Sequence, residues 1–213
     1  MRLAIREGEK QTAEPGQRAT CPQCDGDVIA KCGPILAWHW AHKVADCDTW
    51  SEPMTRWHSQ WQARYPAELC EVTVARDGRR HRADVMGNGR VIEFQHSPIS
   101  VEDINNRERF YGRMVWVFDA RAPYRDDRLI LHPGRTRPGK PNNPRYRSFR
   151  WKHARQSIAY CDAPVYLDIG DDWLLQIKRN IDDLAPCRGW GFLVTYEEFV
   201  QRTITRLCAR RAA

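Results

Sequence analysis

Apolar residues recur at helical spacing in only a few stretches of this chain. They alternate, or cluster in short runs, in many more. Trp57, Trp61 and Tyr65 stand at i, i+4, i+8, which predicts the buried stripe of a helix over residues 51–64. Ser51 is its expected cap, Pro53 is tolerated in its first turn, and Pro66 ends it. Residues 69–75 then read as a strand, Asp77-Gly78 as a hairpin turn, and 81–86 as a second strand. Gly87-Asn88-Gly89 is another turn, followed by a third strand over 91–95. Ser100, with Asp103 three residues on, predicts a capped helix to about Tyr111. Residues 114–118 are nearly all apolar, as in a strand buried on both faces. The order over 51–119 is α-β-β-β-α-β. Its last strand follows a helix and can therefore lie parallel to an earlier one. The expected class is α/β, a sandwich around a mixed sheet.

The flanks read differently. Residues 1–20 are polar, part strand and part loop. Residues 21–50 form a Cys/His-rich module with room only for short strands at 28–30 and 35–40. Residues 121–155 hold eleven Lys/Arg, two acidic residues and five prolines, which predicts a basic loop or arm. Short strands follow at 157–160, 164–169 and 173–177, with turns at Asp171-Asp172 and at 189–192. Thr195 caps a last helix to about residue 206. Four segments result: a module over 1–50, a core over 51–120, a basic arm over 121–155 and an α+β extension over 156–213.

Composition narrows the class. The chain has 213 residues, 42% hydrophobic and 29% charged, with mean hydropathy −0.69. No apolar run approaches the ~20 residues that span a bilayer, and the start has no apolar signal core. A soluble cytoplasmic protein with no membrane partner is expected. Thirty-four Lys+Arg against 27 Asp+Glu give +7, which suits a polyanionic partner.

Eight cysteines without an export signal argue against a disulfide framework. Cys21-Pro-Gln-Cys24 places two thiolates within reach of one ion, and His42 and Cys47 are the expected remaining ligands of a tetrahedral structural zinc set, the other reading being an unmetallated turn with a buried thiol pair. His39 is the alternative histidine. On an extended segment His39 and His42 point to opposite faces, so both cannot bind without a bend. Cys32 stands outside the set. Cys70, Cys161, Cys187 and Cys208 read as small buried apolar residues.

A second constellation is carboxylate. Asp84 falls on the second strand of the hairpin pair and Glu93 and Gln95 on the third. Two short turns allow Asp84 and Glu93 to meet across the ladder. Two close carboxylates repel unless a cation lies between them, and hard oxygen ligands suit Mg²⁺. Such an ion polarises a phosphodiester oxygen and activates water. Glu52 can add a third carboxylate. The other reading is a pair of solvated polar groups on an edge strand.

Taken in order, these motifs resemble the competence protein CoiA-like family within the PD-(D/E)XK nuclease superfamily. The stretches are Cys21-Pro-x-Cys24, His39-Trp-Ala-His42, Ser51-Glu52 with His58, and Arg82-Ala-Asp84-Val. Further on come Glu93-Phe-Gln95-His96-Ser97-x-Ile99-Ser100 and Arg107 to Tyr111 before Val115-Trp116-Val117. The resemblance covers about residues 21–119. It implies a restriction-endonuclease-like core, a small N-terminal zinc-finger module, and a metal-dependent DNA nuclease. It also implies DNA uptake and processing, recombination or phage-related defence. Asp84 and Glu93 would hold Mg²⁺ or Mn²⁺, Glu52 would assist, and Gln95 would place water or the scissile phosphate. Gln95 stands where many superfamily members carry lysine, a departure shared by the CoiA-like branch. A non-catalytic zinc-containing DNA-binding protein and an RNA-acting nuclease are the alternatives.

Several residues remain open between two roles. His58 lies about 240° round an ideal helix from Glu52, at the rim of a site or on the surface. Arg82 is a phosphate clamp or a salt-bridge partner. Arg107 and Tyr111, at i and i+4, brace the site or touch phosphate, or pack and solvate. His96 reads as structural. In the basic tract, Arg145, Arg147, Arg150 and Lys152 are the expected nucleic-acid contacts, interleaved with Tyr124, Tyr146, Phe149 and Trp151 that can stack on bases. Expected partners are DNA and other DNA-processing or defence proteins, and a homodimer is compatible with the sequence.

Overall fold

The computed structural model describes residues 1–44, 47–133, 143–179 and 187–204. It is mixed α/β, rich in sheet with few helices, and divides into two compact units, Met1–Ser97 and Pro98–Ala213. The expected Cys/His module and the expected carboxylate strands therefore share one unit. Among the described residues no helix is long and apolar enough to cross a membrane.

The first unit opens with five strands: β1 (Leu3–Arg6), β2 (Glu9–Thr12), β3 (Arg18–Thr20), β4 (Asp27–Lys31) and β5 (His39–His42). They form an antiparallel sheet in the order β2-β1-β3-β4-β5. Its core is small: Met1, Ala4, Ala13, Cys21, Val28 and Trp40. Trp40 is fully buried, and its Nε1 donates to the Gln11 carbonyl at 2.9 Å. The strand expected over 35–40 begins only at His39. Ile35, Leu36 and Trp38 stay exposed, outside the small core of this sheet.

The helix α1 (Arg56–Gln62) starts later than expected. Thr55, not Ser51, is the cap, and its Oγ1 accepts the His58 N–H at 3.1 Å. Glu52 and Pro53 therefore lie in a non-helical approach segment. The aromatic stripe holds: Trp57, Trp61 and Tyr65 are buried around Phe94 at centroid distances of 6.2, 5.4 and 6.4 Å. Phe94 comes from the antiparallel run β6 (Cys70–Arg76), β7 (Arg79–Gly87) and β8 (Arg90–Gln95). Both joining turns are two-residue turns with positive φ at both centres. Asp77 and Gly78 have φ of 50° and 72°, and Asn88 and Gly89 have 53° and 64°. That geometry matches the twist of the strands it joins. Buried Glu71 accepts the N–H groups of Arg2 and Leu3 at 2.5 and 2.6 Å, fastening the first strand to β6.

The second unit holds α2 (Val101–Tyr111), β9 (Met114–Asp119), α3 (Arg121–Arg125), β10 (Leu129–Pro133), β11 (Tyr146–Trp151), β12 (Val165–Gly170), β13 (Trp173–Arg179), β14 (Cys187–Thr195) and α4 (Tyr196–Ile204). Its strands run in the order β10-β11-β14-β13-β12-β9. Ser100 caps α2 by accepting the Asp103 N–H at 3.0 Å, as the sequence predicts. Every residue of β9 is buried, and its parallel partner here is the later strand β12, antiparallel pairing joining the rest.

Three expectations change in this unit. The tract 121–155 contains a helix and two strands, because Leu129, Phe149 and Trp151 supply a buried face on which β10 and β11 fold. Residues 156–160 form a 3-10 helix rather than a strand. Residues 189–192 lie inside β14, where the glycines permit close strand approach instead of a turn. A Cβ at Gly191 would lie 2.2 Å from the Gln176 carbonyl oxygen. Part of the expected arm (134–142), the end of the expected last helix (205–206) and Cys208 fall outside the described residues. Thr195 caps α4 as expected, its Oγ1 accepting the Glu198 N–H at 3.1 Å while Glu198 accepts the Thr195 N–H at 3.0 Å.

Gly191→Ala tests the β13–β14 approach. Backbone must move to admit the methyl group, so a loss of about 1–3 kcal/mol is expected in urea unfolding. A variant as stable as the parent would show that the strands can separate there freely.

Candidate functional site

The strand β5 carries His42 toward the turn that precedes β4, and the turn's own hydrogen bonds shape the Cys-x-x-Cys segment. The Cys21 N–H donates to the Gly26 carbonyl at 2.9 Å, and the Asp25 N–H to the Cys21 carbonyl at 3.0 Å. Asp25 takes φ of 59°, and a Cβ on Gly26 would press to 3.2 Å from Cys24 Sγ. Glycine therefore keeps the space in front of the thiol open. The ligand atoms of Cys21, Cys24, His42 and Cys47 all lie within 4.8 Å of one another. Cys21 Sγ is 3.7 Å from Cys47 Sγ, and Cys24 Sγ is 3.3 Å from His42 Nε2. Three sulfurs and one imidazole form a soft, four-donor set of the kind that holds a metal such as zinc. Burial raises the Cys24 thiol, but hydrogen bonds from the Gly26 backbone, Cys47 and Cys21 outweigh it and leave the pKa lowered. Cys47 is pushed far up, by burial first and then by the neighbouring Cys21. Three crowded thiols cannot all ionise without a cation among them. His39 lies outside the set: its Nδ1 pairs with the Ala37 carbonyl at 2.8 Å.

Asp48 follows Cys47 directly and is 4% exposed. Its carboxylate accepts the Trp50 N–H at 3.0 Å and the Arg82 N–H at 2.6 Å, and pairs with His81 Nδ1 at 2.9 Å. The His81 ring stacks on Trp50 at 3.4 Å. Gln23 Nε2 donates to the Arg80 carbonyl at 3.2 Å, and Thr73 Oγ1 to the Pro22 carbonyl at 3.3 Å. Both metal-cluster segments are thus attached to the β6–β7 hairpin.

Two residues beyond Arg82 stands Asp84. The β7–β8 register sets Val85 opposite Ile92, and one step further places Asp84 opposite Glu93. There the two carboxylates bind main-chain N–H groups across the strands. The Asp84 N–H donates to Glu93 Oε1 at 3.3 Å, and the Phe94 N–H to Asp84 Oδ2 at 2.8 Å. Asp84 Oδ1 is 2.9 Å from His58 Nε2. Burial lowers the His58 pKa, but the Asp84 charge and hydrogen bond outweigh it, so the net shift is upward. Gln62 Nε2 reaches the Asp84 carbonyl at 3.2 Å. Gln95, 1% exposed, donates through Nε2 to Glu52 Oε1 at 2.5 Å and to the Ser97 carbonyl at 2.9 Å.

The structure thus brings His58 to the Asp84 carboxylate and Glu93 to the Asp84 N–H, and pairs Gln95 with Glu52. Glu52 reaches its partner from the approach segment, not from a helix face. Among the described residues, the Cys/His set is the group of three or more such side chains whose ligand atoms converge.

Other expected contacts are placed differently. Arg107 is 7% exposed and lies over the Trp116 ring, 6.0 Å from its centroid, and Tyr111 is buried beside Phe110. Both brace their unit. Arg145 binds both Glu198 oxygens at 2.6 Å, and Arg147 Nη1 donates to the carbonyls of Pro144 and Tyr146. Phe149 and Trp151 are buried and cannot stack on bases. Arg150, Lys152 and His96 are exposed. Sequence reasoning missed Asp48, His81 and Gln62. Only the adjacency of Asp48 to Cys47 offered a signal.

Residues 5–49 match the family model described as Competence protein CoiA, N-terminal domain. That segment holds β2 to β5, all four metal-cluster residues and Asp48. No curated protein and no solved structure matches the chain.

The CoiA-like segment should carry about one Zn²⁺ per chain, since its four donors form one tetrahedral set. Cys21→Ser or Cys24→Ser should lose it, as read by metal analysis of unchelated protein. Zinc-free parent protein would refute the assignment.

The Arg145–Glu198 pair gives a pH test. The hydrogen bond from Arg145 first, and then the Thr195 N–H, hold Glu198 down at about 2. A depressed carboxylate stabilises the fold above its ordinary range, and that contribution fades as pH falls toward about 2. NMR titration of Glu198 should find its midpoint well below an ordinary glutamate, and Arg145→Ala should raise it part of the way back, the Thr195 N–H still holding it down.

Proposed function

We propose that the protein is a metal-dependent nuclease that cleaves DNA phosphodiester bonds. The observation that supports it is the meeting of Asp84 and Glu93 where the β7–β8 ladder opens, beside His58 and the Gln95–Glu52 pair. Asp84 and Glu93 offer the hard oxygen donors that suit Mg²⁺ or Mn²⁺. When bound, such an ion polarises a phosphodiester oxygen and lowers the pKa of water. The chain's residues supply the rest. His58 fixes the rotamer of Asp84, and the Phe94 N–H fixes its second oxygen. Gln95 commits its amide N–H group to Glu52 and Ser97, so its oxygen faces the work of orientation. A carbonyl oxygen accepts from water but cannot donate to phosphate. Gln95 therefore orients water, in place of the charge that a lysine would supply. Zinc at Cys21, Cys24, His42 and Cys47 would staple the N-terminal segment, and DNA processing, recombination or defence is the matching setting.

A second reading is a non-catalytic zinc-containing DNA-binding protein. The occupation of both Asp84 oxygens by His58 and the Phe94 N–H favours it.

Incubation with single-stranded, double-stranded and branched DNA and with RNA, in Mg²⁺, Mn²⁺ or EDTA, separates these readings. Asp84→Ala and Glu93→Ala should abolish metal-dependent cleavage with the fold retained by circular dichroism. Gln95→Ala should retain partial activity, because it removes an orienting group but no ligand charge. Cleavage by Asp84→Ala at the parent rate would place the active site elsewhere. Parent protein that binds DNA and cuts nothing would establish the second reading.

A further inference from the structure

The basic tract yields a surface different from the expected arm. In the β11–β14 ladder Tyr146 stands opposite Phe192, Ser148 opposite Trp190 and Arg150 opposite Arg188. Alternation puts these six side chains on one face, while Phe149 and Trp151 of the same strand turn into the core. The two arginines are exposed and the three aromatics are partly exposed. The rings touch one another: Tyr146–Trp190 at 5.4 Å, Tyr146–Phe192 at 5.7 Å and Trp190–Phe192 at 5.8 Å. The strands β10, β11, β13 and β14 contain no Asp or Glu. An aromatic row beside exposed guanidinium groups, with no acid on its strands, complements a ligand that has both flat rings and negative charge.

We propose that this face of β11 and β14 binds single-stranded nucleic acid, with bases stacking on Tyr146, Trp190 and Phe192 and phosphates meeting Arg150 and Arg188. Unpaired bases present π-faces that a duplex hides, so the aromatic row selects single strands. A purely basic surface would bind duplex as well. The inference extends the nuclease reading but uses none of its carboxylates, and its test is run in EDTA so that binding and cleavage fail separately.

Fluorescence anisotropy of the full chain is measured with labelled oligothymidylate and oligouridylate of about 16 nucleotides and with a duplex of equal length. At least one single strand should bind about tenfold or more tighter than the duplex. The double variant Arg150→Ala, Arg188→Ala should flatten the slope of log K against log salt by about 1.4, for two lost phosphate contacts. Trp190→Leu, checked for native circular dichroism, should weaken binding roughly 5- to 150-fold through one lost stack. The arginine variant alters only exposed side chains, so it tests the face even where the tryptophan variant fails to fold. Equal affinity for duplex and single strand, an unchanged salt slope in the arginine variant, or no binding to either single strand would each overturn the proposal.

Discussion

The carboxylate of Asp48 gathers the Trp50 and Arg82 N–H groups and the His81 ring at one buried point. A buried carboxylate is costly unless its lone pairs are filled, and a structure that fills them holds those donors in place. The donors here belong to segments far apart in sequence. Through Asp48 the loop that carries Cys47 is joined to β7, the strand that carries Asp84. Glu71 plays the same part at the other end of the first sheet, by taking the N–H groups of Arg2 and Leu3. The five-stranded sheet has a core of few side chains, too small to stand by apolar burial alone. Its attachment through buried carboxylates explains why it forms one unit with β6 to β8.

Local chemistry was legible where it is decided locally. The two hairpin turns, the Ser100 and Thr195 caps and the Trp57–Trp61–Tyr65 stripe depend on residues within a turn of one another, and periodicity or spacing reveals them. The four cluster residues were legible because thiolate and imidazole at that spacing have few other uses. The rest depends on distant partners. Ser51 and Thr55 are both able caps, and the helix starts at Thr55. The charge of residues 121–155 concealed Leu129, Phe149 and Trp151, whose burial makes strands of a tract that reads as a solvated arm. Gly189 and Gly191 read as turn residues, yet both lie within β14, and Gly191 serves its close approach to β13. Asp48 had no periodic signal at all, since its donors are supplied by β7.

The candidate carboxylate site follows from an interruption of the β ladder. Regular pairing would satisfy the Asp84 and Phe94 N–H groups with main-chain carbonyls. Side-chain carboxylates take them instead, Glu93 accepting the Asp84 N–H and Asp84 the Phe94 N–H. His58 pairs with the Asp84 carboxylate, and the upward shift of its pKa is the same interaction seen from the imidazole. The same logic applies to the thiols, where Cys24 is eased toward ionisation while Cys47 is held protonated.

Two-residue alternation lets single strands serve core and site together. In β8, Phe94 fills the aromatic stripe of α1 while Glu93 accepts the Asp84 N–H and Gln95 donates to Glu52. In β11, Phe149 and Trp151 anchor the sheet while Tyr146 and Arg150 face outward with the aromatic row of β14. A shift of one residue in either register would exchange these roles completely. The turns at Asp77-Gly78 and Asn88-Gly89 set the register of β7 against its neighbours, and the closely packed Gly191 sets that of β14 against β13. The glycines that read as punctuation in the sequence therefore decide which side chains are free to do chemistry.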